Sequence, residues 1–225
     1  MNDEKNGDIV AEIELPRTLR LTEHAASRKL RDLCISMWME VQTLQSCIAL
    51  FDHSRAIVTS LRTEEMSTRG TISEENERNL RLTRKWPFIA AREALSTLYN
   101  FHWSLKETNS FVQNVPDQLN EETREGVKVA FTSFERKFDK ALLARHAASH
   151  RSEILNNFEK NAHNAGLSGP YISKQKGTSV MISGSLMDRT YTETRKGELL
   201  KLEVTWETYL IVLKIYKSVI DLVKE

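Results

Sequence analysis

The chain has 225 residues, 40% hydrophobic and 28% charged, so it can bury a core and is too apolar and too balanced to be wholly disordered. Lysine and arginine number 32 against 31 aspartate and glutamate, a net charge of +1 that excludes a global basic field for non-specific nucleic-acid binding and leaves only local patches. Cys34 and Cys47 fall too far apart on one expected helix for a disulfide and match no zinc motif, so they read as reduced, buried thiols of a cytosolic protein.

The opening M-N-D-E-K-N-G-D is acidic and polar, unlike the basic-then-apolar order of a secretory signal. Residues 1–21 contain Gly7 and Pro16 and lack a sustained period, so they read as a loose arm with one short extended piece at Ile9 to Leu15. From Thr22, a plausible N-cap, a helix is expected to run to about Leu61. Its seam is Leu30, Cys34, Met37, Val41, Leu44, Ile48 and Phe51, at alternating spacings of four and three. Between Arg62 and Leu82 the chain is polar and broken by Gly70, which reads as a connecting linker.

Trp86-Pro87 opens a second long helix, because proline suits a first turn, and Phe88, Ala91, Leu95, Leu98, His102 and Leu105 form its seam. Asn114, Pro116 and Asp117 end it, and His102 reads as a hydrogen-bonded core histidine. A third helix begins near Glu121 with a seam at Val127, Phe131, Phe134, Phe138 and Ala141, and the same spacing next lands on Arg145. A charge at an apolar position must snorkel, pair or face a cavity, since burial without compensation is costly. Either the helix breaks near Leu143 or this arginine lines something.

A short helical piece around Ile154, Leu155 and Phe158 and a loop at Asn161 to Pro170 follow. Ser179 to Ser183, Arg189 to Thr194 and Glu198 to Val204 are β-rich runs separated by turns at Gly184 to Asp188 and Arg195 to Gly197, which predicts a small antiparallel meander at about 178–204. Thr205 can cap a last helix, Trp206 to Val223, that is apolar on more than one face and is therefore central in its own fold or buried against a second subunit. The longest apolar run, Tyr209 to Ile215, is interrupted by Lys214 and far short of the roughly 20 residues of a membrane span. A soluble, cytoplasmic protein without a membrane partner is expected, with one helical domain over 22–225. Trp86, Trp103 and Trp206 could form core or a base-stacking surface, and their helical positions favour core.

Chemistry concentrates in Lys140 to Glu153, which carries Arg145, His146 and His150, and three readings compete. His146 and His150 at i and i+4, with Glu153, could lie on one stripe as metal ligands, although the glutamate of an HExxH motif is missing. Alternatively, Arg145 pairs with a carboxylate and the histidines sit on a solvated face. The third reading is metal-independent RNA cleavage, in which histidine moves the protons of a ribose 2′-hydroxyl and of the leaving oxygen while arginine clamps the phosphate. Arg145 and His150 project about 140° apart on an ideal helix, so this reading needs arginine's reach, a helix distortion, or two protomers combining their motifs.

Arg145-His146-Ala-Ala-Ser-His150 resembles the R-[N/D/H]-x-x-x-H form of the R-x4–6-H motif of HEPN domains, all-α proteins of prokaryotic defence, toxin–antitoxin and RNA-processing systems. The resemblance covers roughly Thr22 to Phe158 and the last helix. It implies a mainly α, HEPN-like bundle that dimerises with its motifs facing one another, an RNA substrate, and a cognate antitoxin or other protein partner. Arg145 and His150 would be catalytic, His146 would support them, and neither metal nor cofactor would be needed. The meander before the last helix departs from the family pattern, and since some members do not cleave RNA, a non-catalytic interaction module remains the alternative.

Overall fold

A computed structural model describes residues 24–67, 73–115, 119–149, 185–196 and 198–224. The first helix, α1 (His24–Ser67), spans 44 residues, and every member of its expected seam from Leu30 to Phe51 is buried. That apolar stripe packs along α3 (Trp86–Gln113). The two run antiparallel, because the hydroxyls of Ser36 and Ser104 meet at 2.8 Å while Glu40, a turn further along α1, bonds Asn100, a turn earlier on α3.

Between them lies α2 (Glu74–Thr83), in a segment expected to be a linker. Hydrophobic spacing is absent there, and the helix is specified at its ends: the Ser73 hydroxyl accepts from the Asn76 N–H, Glu74, Glu75 and Glu77 fill the first turn, and Arg81 stands in the last. Helix α1 also continues past Leu61 to Ser67. Helix α3 begins with proline in its first turn and is C-capped by Asn114, as expected, and Ala91, Leu95, Leu98 and Leu105 are buried. Phe88 departs from the expected seam; at 40% exposure it lies in the first turn, where the chain has only begun to enter the bundle.

Helix α4 (Glu121–Ser149) packs on α3, with Val127, Phe134, Phe138 and Ala141 buried and Phe131 partly so. Of the two alternatives at Arg145, a break near Leu143 is absent, and the arginine lines a cleft. The backbone leaves helical geometry at Phe138 instead (φ −119°, ψ 15°). Ala141 beyond the kink keeps the expected spacing, and the next turn buries Ala144 fully and Arg145 only in part.

Before the last helix a three-stranded antiparallel sheet, in the order β1 (Ser185–Met187), β2 (Thr190–Arg195), β3 (Glu198–Glu203), packs through β2 and β3 on α4. The meander is thus present, with a correction to its first strand: Ser185 to Met187, expected in a turn, pair with Thr192 to Thr190. Asp188 (φ 52°) and Lys196 (φ 49°) make the tight turns, Asp188 immediately after the first strand. The last helix, α5 (Trp206–Val223), is capped by Thr205, whose hydroxyl accepts from the Thr208 N–H. It packs on both α1 and α4, burying Tyr209, Leu213, Tyr216, Ile220 and Val223 on one side and Ile215 and Val219 on another. No helix of the described residues is long and apolar enough to cross a membrane. The expected arm at 1–21, the strand at 179–183, the short helix near Phe158 and the loop at 161–170 lie outside the described residues.

Candidate functional site

Antiparallel packing of α3 against α4 brings the last turns of α4 beside the first half of α3. Arg145 is half-buried there, its guanidinium carbon 4.6 Å from the centroid of the Tyr99 ring. His146 meets the same ring edge-on, with centroids 5.5 Å apart and planes at 85°. One tyrosine therefore holds two consecutive residues of the candidate motif, the first through cation–π attraction, worth about 0.5–2 kcal/mol depending on desolvation.

Arg145 also lines a cleft of about 260 Å³ with Ile89, Arg92, Glu93, Leu95, Ser96 and Ala148. Ala148 shows that the wall continues one turn beyond Arg145 toward the end of α4. His150, the other candidate catalytic residue, and Glu153 lie outside the described residues, so the spacing between His150 and Arg145 does not enter the geometry. Among the described residues no three His, Cys, Asp or Glu side chains gather as a metal-binding group.

Glu93 of α3 lines this cleft, and Glu40 of α1 lies near enough for the two charges to interact. Burial pushes the Glu40 carboxyl above its ordinary pKa, the Asn100 side-chain hydrogen bond works against that shift, and the Glu93 charge adds to it. Burial also pushes the Cys34 and Cys47 thiols up to about 12, so both stay protonated and poor nucleophiles, as their reading as structural thiols requires. His102 is accounted for as a packed histidine: its Nε2 lies 3.1 Å from Glu135 Oε1, and its ring stacks on Phe131 and Phe134.

The sequence reading did not find Tyr99, Glu93 or Glu40. Tyr99 lies next to seam residue Leu98, and only the pairing of α3 with α4 distinguishes a ring that carries Arg145 from another boundary aromatic. Trp103 is a correction: it was read as core and is 52% exposed. Trp206 is partly buried and donates its indole N–H to Asp52 (3.0 Å). A second cleft, about 310 Å³, opens at the α4 kink, but its Lys137, Lys140 and Lys201 are matched by Asp139, Glu203 and Glu207, so it offers no net charge to an anion.

Comparison with family models, curated proteins and solved structures finds no match to this chain.

Proposed function

We propose that this chain is a HEPN-like, metal-independent endoribonuclease whose site combines Arg145 and His150, with His146 in support. The observation that carries the reading is Arg145 at the wall of a cleft, half-buried over Tyr99, at the one place in the sequence where arginine and histidine stand in an R-x4-H spacing. The planar fork of a guanidinium at a cleft wall suits a phosphate, which it can contact through two parallel hydrogen bonds.

In the reaction, His150 takes the proton of a ribose 2′-hydroxyl as the 2′-oxygen attacks phosphorus. The bond from phosphorus to the 5′-oxygen breaks, a histidine protonates the departing oxygen, and a 2′,3′-cyclic phosphate remains. Arg145 stabilises the charge that develops on the phosphate oxygens. A homodimer combines Arg145 of one copy with His150 of the other, and toxicity of such an enzyme is the reason a restraining antitoxin would accompany it in a defence system.

The test is incubation of the purified chain with single-stranded RNA in excess chelator. Cyclic-phosphate ends are expected, with His150→Ala and Arg145→Ala each lowering the rate at least about a hundredfold, as general-base and charge-stabilising losses do. Cleavage that survives both substitutions, or that requires a divalent ion, would remove the proposal. A non-catalytic interaction module is the competing reading, and the Tyr99 contact favours it to this extent: it gives Arg145 a packing role that needs no substrate.

A further inference from the structure

Trp103 breaks the rule that large aromatic residues of a bundle helix turn inward, since 52% of it is exposed. At about 100° per residue, Ile89, Arg92, Ser96 and Trp103 fall within roughly 60° of one another around α3, so the indole continues the face that lines the Arg145 cleft, about two turns or 10 Å beyond Ser96. Lys106 Nζ lies over the Trp103 ring, 5.5 Å from its centroid, which sets a cation on one face of the indole, so a base would stack on the other.

The neighbours of Trp103 on that face are Asn100, one turn before it, and Glu107, one turn after, both polar. No continuous apolar patch forms, so a hydrophobic protein partner would find one ring and a polar surround. A nucleobase fits better, because it needs one π face with polar groups at its edges, and its phosphate needs a nearby cation. Along the face Arg92, Arg145 and Lys106 stand among Glu40, Glu93 and Glu107, three of each sign, so a strand's phosphates would be held by the placement of individual cations and not by a net field.

We propose that Trp103 is a base-stacking subsite for single-stranded RNA, with Lys106 holding an adjacent phosphate, and that α3 guides the strand from this ring to the Arg145 cleft. The subsite rests on the reading of the chain as an RNA-cleaving protein, and its test is built to fail separately from that reading.

Binding of a short fluorescent oligoadenylate is measured by anisotropy in chelator, using the full chain carrying His150→Ala so that the strand stays intact. Adding Trp103→Ala should weaken binding about 5- to 100-fold, the range that loss of one stacked base covers, while Trp103→Phe should retain most of the affinity. An abasic ribose–phosphate oligomer of equal length should bind with and without Trp103→Ala alike, a pattern that a merely structural tryptophan would not produce. Circular dichroism of the variants should be unchanged, as expected for a half-exposed ring.

Unchanged oligoadenylate affinity in Trp103→Ala, equal losses on the abasic strand, or no oligoadenylate binding at all would each overturn the subsite. So would a Trp103→Ala effect confined to self-association, which would identify the ring as a protein contact. Tryptophan-dependent binding by a chain that never cleaves would instead keep the subsite and refute the nuclease.

Discussion

The Tyr99 ring is one of the contacts that place Arg145. Removing that ring in Tyr99→Ala loosens the guanidinium, so the proposed cleavage should fall about tenfold, the equivalent of about 1.4 kcal/mol of lost positioning. Tyr99→Phe keeps the π face 4.6 Å beneath the guanidinium and should restore the rate, which separates positioning from any chemistry of the phenol. Equal rates for all three proteins would show that Tyr99 has no part in orienting the arginine. A neighbouring carboxyl makes a different prediction. Glu40 is held above its ordinary pKa of 4.5, chiefly by burial. In that window the folded state binds more protons than the unfolded one, so stability falls as pH rises through it and the penalty is fully present at neutral pH. Glu40→Gln keeps a partner for Asn100 and removes the charge. Its melting temperature should therefore exceed the parent's at pH 7, with the difference shrinking as the pH is lowered toward 4.

Helices and strands differ in how plainly the sequence announces them. The α1 seam was legible because seven apolar positions at three–four spacing leave one face to bury, and all seven are buried. The α5 cap was legible for a similar reason, a threonine directly before an apolar run. The polar helix α2 was missed because its apolar content is slight and its information sits in Ser73 and the glutamates after it. The apolar spacing of α4 points to Arg145, but beyond the Phe138 kink it is Ala141 and Ala144 that are buried and the arginine lies half-buried at the cleft. A local backbone departure of that kind depends on what packs against α4, including the sheet, and no spacing rule carries it. The same packing gives a test at the scale of elements. Helices α4 and α5 approach so closely that a Cβ on Gly126 would lie 2.5 Å from Leu222 Cδ1. A bulky side chain such as Gly126→Leu displaces the Leu222 side chain and, where that has no room to turn, α5 with it, at a cost of about 1–3 kcal/mol in chemical denaturation. A variant as stable as the parent would mean that Leu222 can swing aside without moving the helix.

At the scale of the molecule, α1 and α5 form the frame and the sheet is fastened to it by charge. Asp52 of α1 accepts from Arg189 after β1 and from the Trp206 indole at the start of α5, while Arg189 also donates to the Val204 carbonyl (2.9 Å) and lies over the Phe51 ring. One carboxylate thus joins three parts of the chain, and Asp52→Ala should cost about 1–3 kcal/mol by leaving its half-buried partners without an acceptor. The meander that departs from the HEPN pattern is therefore integrated with the bundle, and it packs on α4, the helix that carries Arg145.

How many copies of α4 make one site follows from a mixing experiment. If a site takes Arg145 from one copy and His150 from the other, a dimer of one Arg145→Ala chain and one His150→Ala chain has one site with both defects and one with none. Equal mixing with free exchange makes half the dimers mixed, each with one of two sites intact, so about a quarter of parental activity should return from two inactive proteins. If each copy supplies both residues to its own site, every site in the mixture carries a defect and activity stays at the level of the single variants. Recovery would assign the roughly 140° helical offset between Arg145 and His150 to a two-chain site. Its absence, in a mixture shown by sedimentation to contain exchanged dimers, would require the offset to be bridged within one chain by the reach of the arginine or a distortion of the helix.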